Sequence, residues 1–286
     1  MIMNKRNIFI FFIAVAVLAS LVFFKHGPKI RYRETKDLDA GLVSVDVCLD
    51  RDSATRKAAR ALDDAWQKMR DVYRRMNNDV QGSDIWKINH SFKNPQSVAD
   101  DTIEIFRKLL HYQAIRPSDV NILSGQRIEL LNATTKIKFG IITNGYAIDE
   151  LAKVLRKRGF KNFLVDVNGS TFASGLNCSG ERWKVAVHHP SDKTKILDVV
   201  QVFNAAIVVV GPPGKEVQSA AVIAPVAVDG AILASILSVL DIQHGEALID
   251  PLGRDWASVV IRQEQGKFKI FKSKNYANFQ IMPHRR

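Results

Sequence analysis

Two turns in the stretch Phe139–Ser170 carry residue types that could hold a charged ligand. The first turn, ITNG at Ile142–Gly145, opens a predicted amphipathic helix, and the second, VDVNG at Val165–Gly169, closes a predicted buried strand. The backbone N–H groups at a helix start suit a phosphate group. Two interpretations follow: the turns are the rims of one ligand site, or both are ordinary turn signals.

Three polar side chains near these turns have a chemical and a structural interpretation. Asp149 is either a site acid or a residue that complements a helix dipole. Asp166 alternates with valines on its predicted strand, so it either lines a cleft or pairs with a surface lysine. Asn144 either shapes a ligand-contacting turn or only signals the start of the helix.

The histidine and cysteine spacings do not indicate a transition-metal site. His188 and His189 are adjacent on a predicted strand, so their side chains point in opposite directions, which disfavours zinc. Cys48 and Cys178 have no metal-ligand spacing, but outside the cytosol they could form a disulfide.

The composition is that of an ordinary globular protein: 286 residues, of which 47% are hydrophobic and 24% charged. The net charge of +12 favours an acidic partner such as anionic lipid, a phosphate-bearing ligand or nucleic acid. The basic residues are spread along the chain without interleaved aromatic residues, and no nucleic-acid motif accompanies them. Nucleic-acid binding is therefore not predicted.

The N-terminal residues 1–24 are predicted to be a membrane anchor or an uncleaved signal. An uncharged apolar run, Ile8–Phe24, follows Lys5 and Arg6 and is at the short end for a membrane-spanning helix. The run continues past the candidate cleavage site at Ala19, which favours a retained anchor. We expect a linker over residues 25–39 and one extracytoplasmic domain over residues 40–286, held by a single span in the inner or plasma membrane.

Hydrophobic periodicity predicts the elements that must position these residues. Gly41–Leu49 alternates as a strand, and further helices are expected at about 98–112, after ITNG as far as Gly159, and at 230–240. Helices and strands mingle without a regular βα alternation, which predicts an α+β fold with mixed or antiparallel sheets and flanking helices. The first helix is predicted from an apolar stripe at Ala58, Leu62, Trp66, Met69, Tyr73 and Met76.

From about residue 40 to residue 277, the motifs resemble those of the ApbE family, the FAD:protein FMN transferases. Lys138–Asp149, KFGIITNGYAID, is similar to a family core motif that reads roughly DLGGIAKGYAVD. Four further blocks follow the family pattern at believable spacings: Ser83–Asn89, Val165–Gly169, Trp183–Pro190 and Ala220–Leu237. Several blocks at such spacings are more specific than any single block.

The resemblance implies an ApbE-like, T-fold-related domain in a periplasmic enzyme. Family members bind FAD and Mg²⁺ and transfer FMN to a threonine or serine of a flavoprotein partner. Such chemistry needs a divalent cation held by carboxylate and carbonyl oxygens. On this chain, the implied flavin-binding candidates are Lys138, Thr143, Asn144, Asp149, Asp166 and Asn168, and the metal candidates are Asp229 and Ser235.

The departures from the family pattern are concentrated at the implied metal site. Lys138 stands where the core motif has Asp, Ala231 where the family has a metal-binding Asp, and Ser235 where it has Thr. Asp229, two residues before Ala231, either replaces the missing carboxylate or complements its own helix dipole. The segment between Tyr112 and Val120 has no counterpart of a further family element.

Two hypotheses follow from these departures. In the first, the chain is a membrane-tethered flavin transferase-family protein with a dismantled Mg²⁺ site. In the second, it is a non-catalytic module that retains the fold and binds a flavin or a partner protein.

Overall fold

The computed structural model describes residues 29–38, 41–50, 54–189, 192–211, 218–264 and 267–281. The apolar run Ile8–Phe24 lies outside these ranges. Within them, no helix combines the length and the hydrophobicity needed to cross a membrane. The N-terminal anchor therefore stays a prediction.

The helices and strands of the described residues mix along the chain as the sequence predicts. The helices are α1 (Thr55–Met76), α2 (Asp84–Asn89), α3 (Asp100–His111), α4 (Ile141–Lys157), α5 (Ala227–Leu237) and α6 (Ile242–Ile249). The strands are β1 (Ile30–Leu38), β2 (Gly41–Leu49), β3 (Gln96–Ser97), β4 (Val120–Leu123), β5 (Arg127–Leu130), β6 (Phe163–Val167), β7 (Ser170–Ser174), β8 (Trp183–His189), β9 (Asp192–Val202), β10 (Ala205–Val210), β11 (Gln218–Ala224), β12 (Ala257–Glu264) and β13 (Lys267–Lys272).

An eight-stranded sheet in the order β1-β2-β6-β7-β10-β11-β12-β13 forms the centre of the domain. Every neighbouring pair in it is antiparallel. A three-stranded sheet, β3-β5-β4, and the β8–β9 hairpin complete the described strands. The predicted α+β class with large antiparallel sheets is confirmed.

Strand β1 corrects the predicted linker. It pairs with β2 along all nine of its residues, so the linker prediction for residues 25–39 is wrong over Ile30–Leu38. The polar composition of β1 has a tertiary explanation: Arg31 and Arg33 donate to the carboxylate of Asp46 on β2 at 2.5–2.8 Å. Burial alone would raise the pKa of Asp46, but the hydrogen bonds from both arginines outweigh it and lower that pKa.

One face of the large sheet is covered by α1, α4 and α5, and the main core lies between them. The alternation of β2 and β6 aims Val45 and Val165 into this core. The stripe predicted for α1 is confirmed, because its members are all buried, with Trp66 fully enclosed. Burying one such large side chain contributes about 1.5–3 kcal/mol.

The opposite face of the sheet is covered by the β8–β9 hairpin, whose inward residues include Val187 and Val200. Cys48 belongs to this second core and forms a disulfide with Cys178, in the loop before β8. The pairing that the sequence left open is therefore present in the structure.

Two helices near the C-terminal end differ from the prediction. The helix expected at 230–240 is α5, Ala227–Leu237, which begins and ends three residues earlier. Nearly all of its residues are buried, so no polar face marks where it starts. The short helix α6 was not predicted, because eight residues give too few turns for a clear period.

Candidate functional site

The segment before α4 is held in an extended conformation by Asn89, the last residue of α2. The Asn89 amide accepts from the backbone N–H of Ile137 at 2.7 Å and donates to the Ile137 carbonyl at 2.8 Å. Side chains along an extended segment point alternately to opposite sides, so Ile137 and Phe139 are buried while Lys136 and Lys138 are exposed. Asn89 is thus a positioning residue for the two lysines.

A cleft of about 510 Å³ opens beside this segment. That volume lies within the range of small-molecule sites. Its walls come from the loop after α3, the segment before α4, the first turn of α4 and the C-terminal half of α5. Lys138 and Ser235 both line it, over an apolar floor that includes Ile142, Ile232 and Ile236.

The charge of the cleft is positive. Arg116, Lys136 and Lys138 line it together with one carboxylate, that of Asp119. Arg116 donates to Asp119 at 3.0 Å and Asn132 donates to it at 3.2 Å. The hydrogen bond from Asn132 and that from Arg116 lower the pKa of Asp119. The carboxylate is therefore already engaged, and the cleft favours an anionic ligand.

The residues present do not fit the implied Mg²⁺ ion. Ala231 is fully buried and offers no carboxylate, and the Ser235 hydroxyl donates to the Ala231 carbonyl at 2.8 Å. Within the described residues, no group of three or more His, Cys, Asp or Glu side chains could hold a metal. A hard divalent cation requires several oxygen ligands, which this wall of the cleft does not supply.

Asp229 does not replace the missing carboxylate. Its Oδ1 accepts from the Lys108 ammonium of α3 at 2.8 Å, and its side chain is 10% exposed. It is absent from the lining of the cleft. Asp229 therefore joins α3 to the first turn of α5, where its charge also complements the helix dipole.

Asp149 lies in the middle of α4, and it binds the start of another helix. Its two carboxylate oxygens accept from the backbone N–H groups of Ala227 and Val228 at 2.9 and 2.8 Å. Burial raises the pKa of Asp149 to about 6, against the lowering effect of these two hydrogen bonds. Asp149 therefore complements a helix dipole, but the dipole is that of α5 and not that of its own helix.

Thr143 and Asn144 follow Ile142 in the first turn of α4 but do not line the cleft. Thr143 is buried and Asn144 is half-buried. Next to them, Gly145 lies against α5: a Cβ added there would come 2.7 Å from the Ala227 carbonyl oxygen. The glycine of the ITNG turn is needed for helix–helix contact.

Asp166 and Asn168 lie elsewhere, at the β6–β7 hairpin. Asp166 points away from the core that buries Val165 and Val167, and its carboxylate accepts from Gly169 at 3.3 Å. Burial raises its pKa, while the charges of Arg33 and His188 act in the opposite direction. Asn168 has a φ of +52° in the hairpin turn. The structure therefore separates these two residues from the Lys138 cleft, whose lining contains neither.

Sequence reasoning missed the cations that share the cleft with Lys138. Arg116 and Asp119 lie in the segment between Tyr112 and Val120, where the family element has no counterpart. A usable signal was present: the order of the motif blocks places a family element in this segment. That order indicates a segment beside the ligand site, but it does not indicate which of its residues contribute. Lys108 carried no local signal, because its partner Asp229 lies 121 residues away.

The comparisons with known proteins match this chain to ApbE proteins. The model of the ApbE family matches residues 113–212. The FAD:protein FMN transferase of Klebsiella pneumoniae is 28% identical over 96 residues, which are 34% of this chain and 26% of that protein. The sequence match thus spans about a quarter of the relative's length.

Solved structures show the same fold over most of the chain. The flavin transferase ApbE from Vibrio cholerae matches with a TM-score of 0.76 at 14% identity, over 88% of this chain and 100% of that one. The apo flavinyl transferase ApbE of Pseudomonas stutzeri matches with a TM-score of 0.75 at 15% identity, over 88% and 97%. These matches show that the chain is similar to ApbE proteins, in sequence over residues 113–212 and in fold over most of its length.

Proposed function

We propose that the protein is a membrane-tethered, extracytoplasmic flavin-nucleotide-binding member of the ApbE family whose binding does not depend on Mg²⁺. The observation that carries this proposal is the cleft in which Lys138 stands among Arg116 and Lys136, without a free carboxylate in its lining. Three cations and one engaged acid suit a phosphate-bearing ligand directly.

Each part of the cleft has a role in this proposal. Lys138 contacts the phosphates, supported by the dipole at the start of α4. The apolar floor at Ile142 and Ile232 receives an apolar part of the ligand. Asn89 keeps the lysine-bearing segment in place through its two bonds to Ile137.

Flavin transfer is the second candidate function, and the similarity to FAD:protein FMN transferases favours it. In that reaction a threonine or serine hydroxyl of a flavoprotein partner loses its proton to solvent and attacks the FMN phosphorus of FAD. A new P–O bond forms, the P–O bond of the pyrophosphate breaks, and AMP leaves. The carboxylates that such chemistry uses to hold a metal do not line this cleft. We therefore favour binding without transfer.

The disulfide supports the proposed location. Disulfides persist in oxidising compartments outside the cytoplasm and are rare in the cytosol. Cys48–Cys178 joins two parts of the chain 130 residues apart, so it is a structural bond of the whole domain.

Titration with FAD tests the proposed binding. We expect the dissociation constant to be the same within about twofold in EDTA and in excess Mg²⁺, because a lysine supplies the positive charge. Lys138→Glu should weaken binding by about tenfold or more, which corresponds to about 1.4 kcal/mol. Lys93→Glu, on an exposed turn, is the matched control and should bind FAD normally.

Loss of binding in EDTA would contradict the proposal. Incubation with FAD, Mg²⁺ and a threonine-containing acceptor peptide then separates the two functions. We expect no AMP and no FMN-mass adduct above the rate without protein; their formation would establish transfer.

A further inference from the structure

A second cleft lies at the end of the domain where the described chain begins. It has a volume of about 550 Å³ and is lined by Lys29, Lys57 and Lys161, together with Asp50. The three lysines come from distant parts of the chain: the residue before β1, the first turn of α1 and the loop after α4. The fold brings their charges together.

The positions of these lysines are fixed by the surrounding structure. The backbone N–H of Lys29 donates to the carbonyl of Cys178 at 3.4 Å, so the disulfide to Cys48 fixes where the chain enters the domain. The Lys57 ammonium lies 5.5 Å from the centre of the Phe160 ring. The charged wall is therefore part of the folded domain.

Most of the cations at the start of α1 and at and after the end of α4, the elements beside this cleft, have no acidic partner. Lys29 pairs with Asp50 at 3.4 Å, and Arg158 pairs with Asp64. Arg156 lies over the Phe172 ring. Among the described residues, no carboxylate lies within 4.0 Å of five further cations, which we call the basic face. The basic face consists of Arg56, Lys57, Arg60, Lys157 and Lys161, all of them exposed.

We propose that the basic face lies against an anionic bilayer, with its cations on lipid phosphates. This inference rests on the membrane tether proposed above. Only residues 25–28 separate the apolar run Ile8–Phe24 from Lys29. Five residue steps span at most about 18 Å, so a run inside the bilayer keeps the basic face near the headgroups.

A bilayer fits the basic face better than a single anion does. The cations extend over the first turns of α1 and the end of α4 instead of converging on one point. Basic segments next to a membrane span are attracted to anionic lipid within about one Debye length, 8–10 Å at physiological salt. A flat array of phosphates matches this arrangement.

Lysine footprinting of the full-length protein tests the proposal. The chain is reconstituted in nanodiscs of phosphatidylcholine alone or with phosphatidylglycerol, and acetylation by an amine-reactive reagent is measured by mass spectrometry. We expect Lys57 and Lys161 to react several-fold more slowly in the anionic discs, and 1 M NaCl, with a Debye length of about 3 Å, to restore their reactivity. Lys93, on the exposed turn after α2, is the internal control.

Equal labelling of Lys57 in both kinds of disc would overturn the proposal. The proposal would also be overturned if inorganic phosphate, added to the protein in detergent, protected Lys57 as well as the anionic discs do. Failure of the chain to enter either disc would instead refute the tether. The variant Lys57→Glu/Lys161→Glu should abolish the lipid-dependent protection of Lys157. The charge-matched variant Lys87→Glu/Lys93→Glu should retain it; loss of protection in both variants would contradict a specific face.

Discussion

At the scale of single residues, buried carboxylates hold the domain together through partners that are distant in sequence. Asp46 is 2% exposed and binds two arginines of β1. Asp149 binds the first amides of α5, and Asp229 binds Lys108. These three acids stabilise the fold.

Asp149 predicts a dependence of stability on pH. Its pKa in the folded protein is about 6, above the value of about 4 for an unfolded chain. The folded state therefore binds more protons between these values, so stability decreases as the pH rises from about 4 to 6. The size of this contribution is about 2–3 kcal/mol.

Urea unfolding between pH 4.5 and 7 measures this effect. The midpoint should fall as the pH rises, and Asp149→Asn should flatten the curve. In this variant, part of the decrease in stability with rising pH should remain, because burial also raises the pKa of Asp166. If the urea midpoint of Asp149→Asn depended on pH as strongly as that of the wild-type protein, the pH dependence would come from other groups.

At the scale of elements, the contact between α4 and α5 decides the shape of the cleft wall. Gly145 lets the two helices approach, since a Cβ there would lie 2.7 Å from the Ala227 carbonyl and 2.9 Å from the Val228 Cα. Both neighbours are backbone atoms, which cannot rotate away. The same helices then carry Ile142 and Ser235 into the cleft.

Gly145→Ala should therefore destabilise the protein although alanine is the better helix former. We expect a net loss of about 1–2 kcal/mol, because overpacking exceeds the gain in helix propensity. Thermal unfolding measures it, and FAD affinity should fall with it. The control, Gly211→Ala, has open space around the new Cβ and should change stability by less than about 0.5 kcal/mol. Equal stability of the two variants would contradict the close approach.

At the scale of the whole molecule, one covalent bond joins the large sheet to the loop before the β8–β9 hairpin. Cys48 lies on β2, and Cys178 lies in the loop that leads to the β8–β9 hairpin. The bond closes a loop of 130 residues. In the chain-entropy model this restricts the unfolded state strongly, by up to about 5 kcal/mol.

Reduction should lower the stability of the domain accordingly. We expect dithiothreitol to reduce the unfolding free energy by about 2–5 kcal/mol. Cys48→Ala/Cys178→Ala should be equally unstable, and dithiothreitol should not affect it. An unchanged urea midpoint for the reduced wild-type protein would show that the disulfide contributes nothing.

The sequence alone determined the features that depend on local order. The period of apolar residues in α1, the alternation in β2 and the Asn168-Gly169 hairpin turn are set by neighbours along the chain, and each is present in the structure. The order of the motif blocks also showed the resemblance to the ApbE family. Of the candidate site residues that it implied, Lys138 and Ser235 line one cleft, whereas Asn144 does not.

Only the tertiary structure decided which partner each charge takes. The polar sequence of β1 predicted a linker. In the structure its arginines are neutralised by a buried carboxylate on β2, which allows the segment to be a strand. The sequence left Asp149 and Asp229 open between a site role and a helix-dipole role, and the structure shows that they bind α5 and Lys108. Asp166 lies on the other face of the sheet. The local sequence determines on which side of its own helix or strand a side chain lies. The interaction energy of two charged groups depends on the distance between them, and for groups on different elements only the tertiary structure sets that distance.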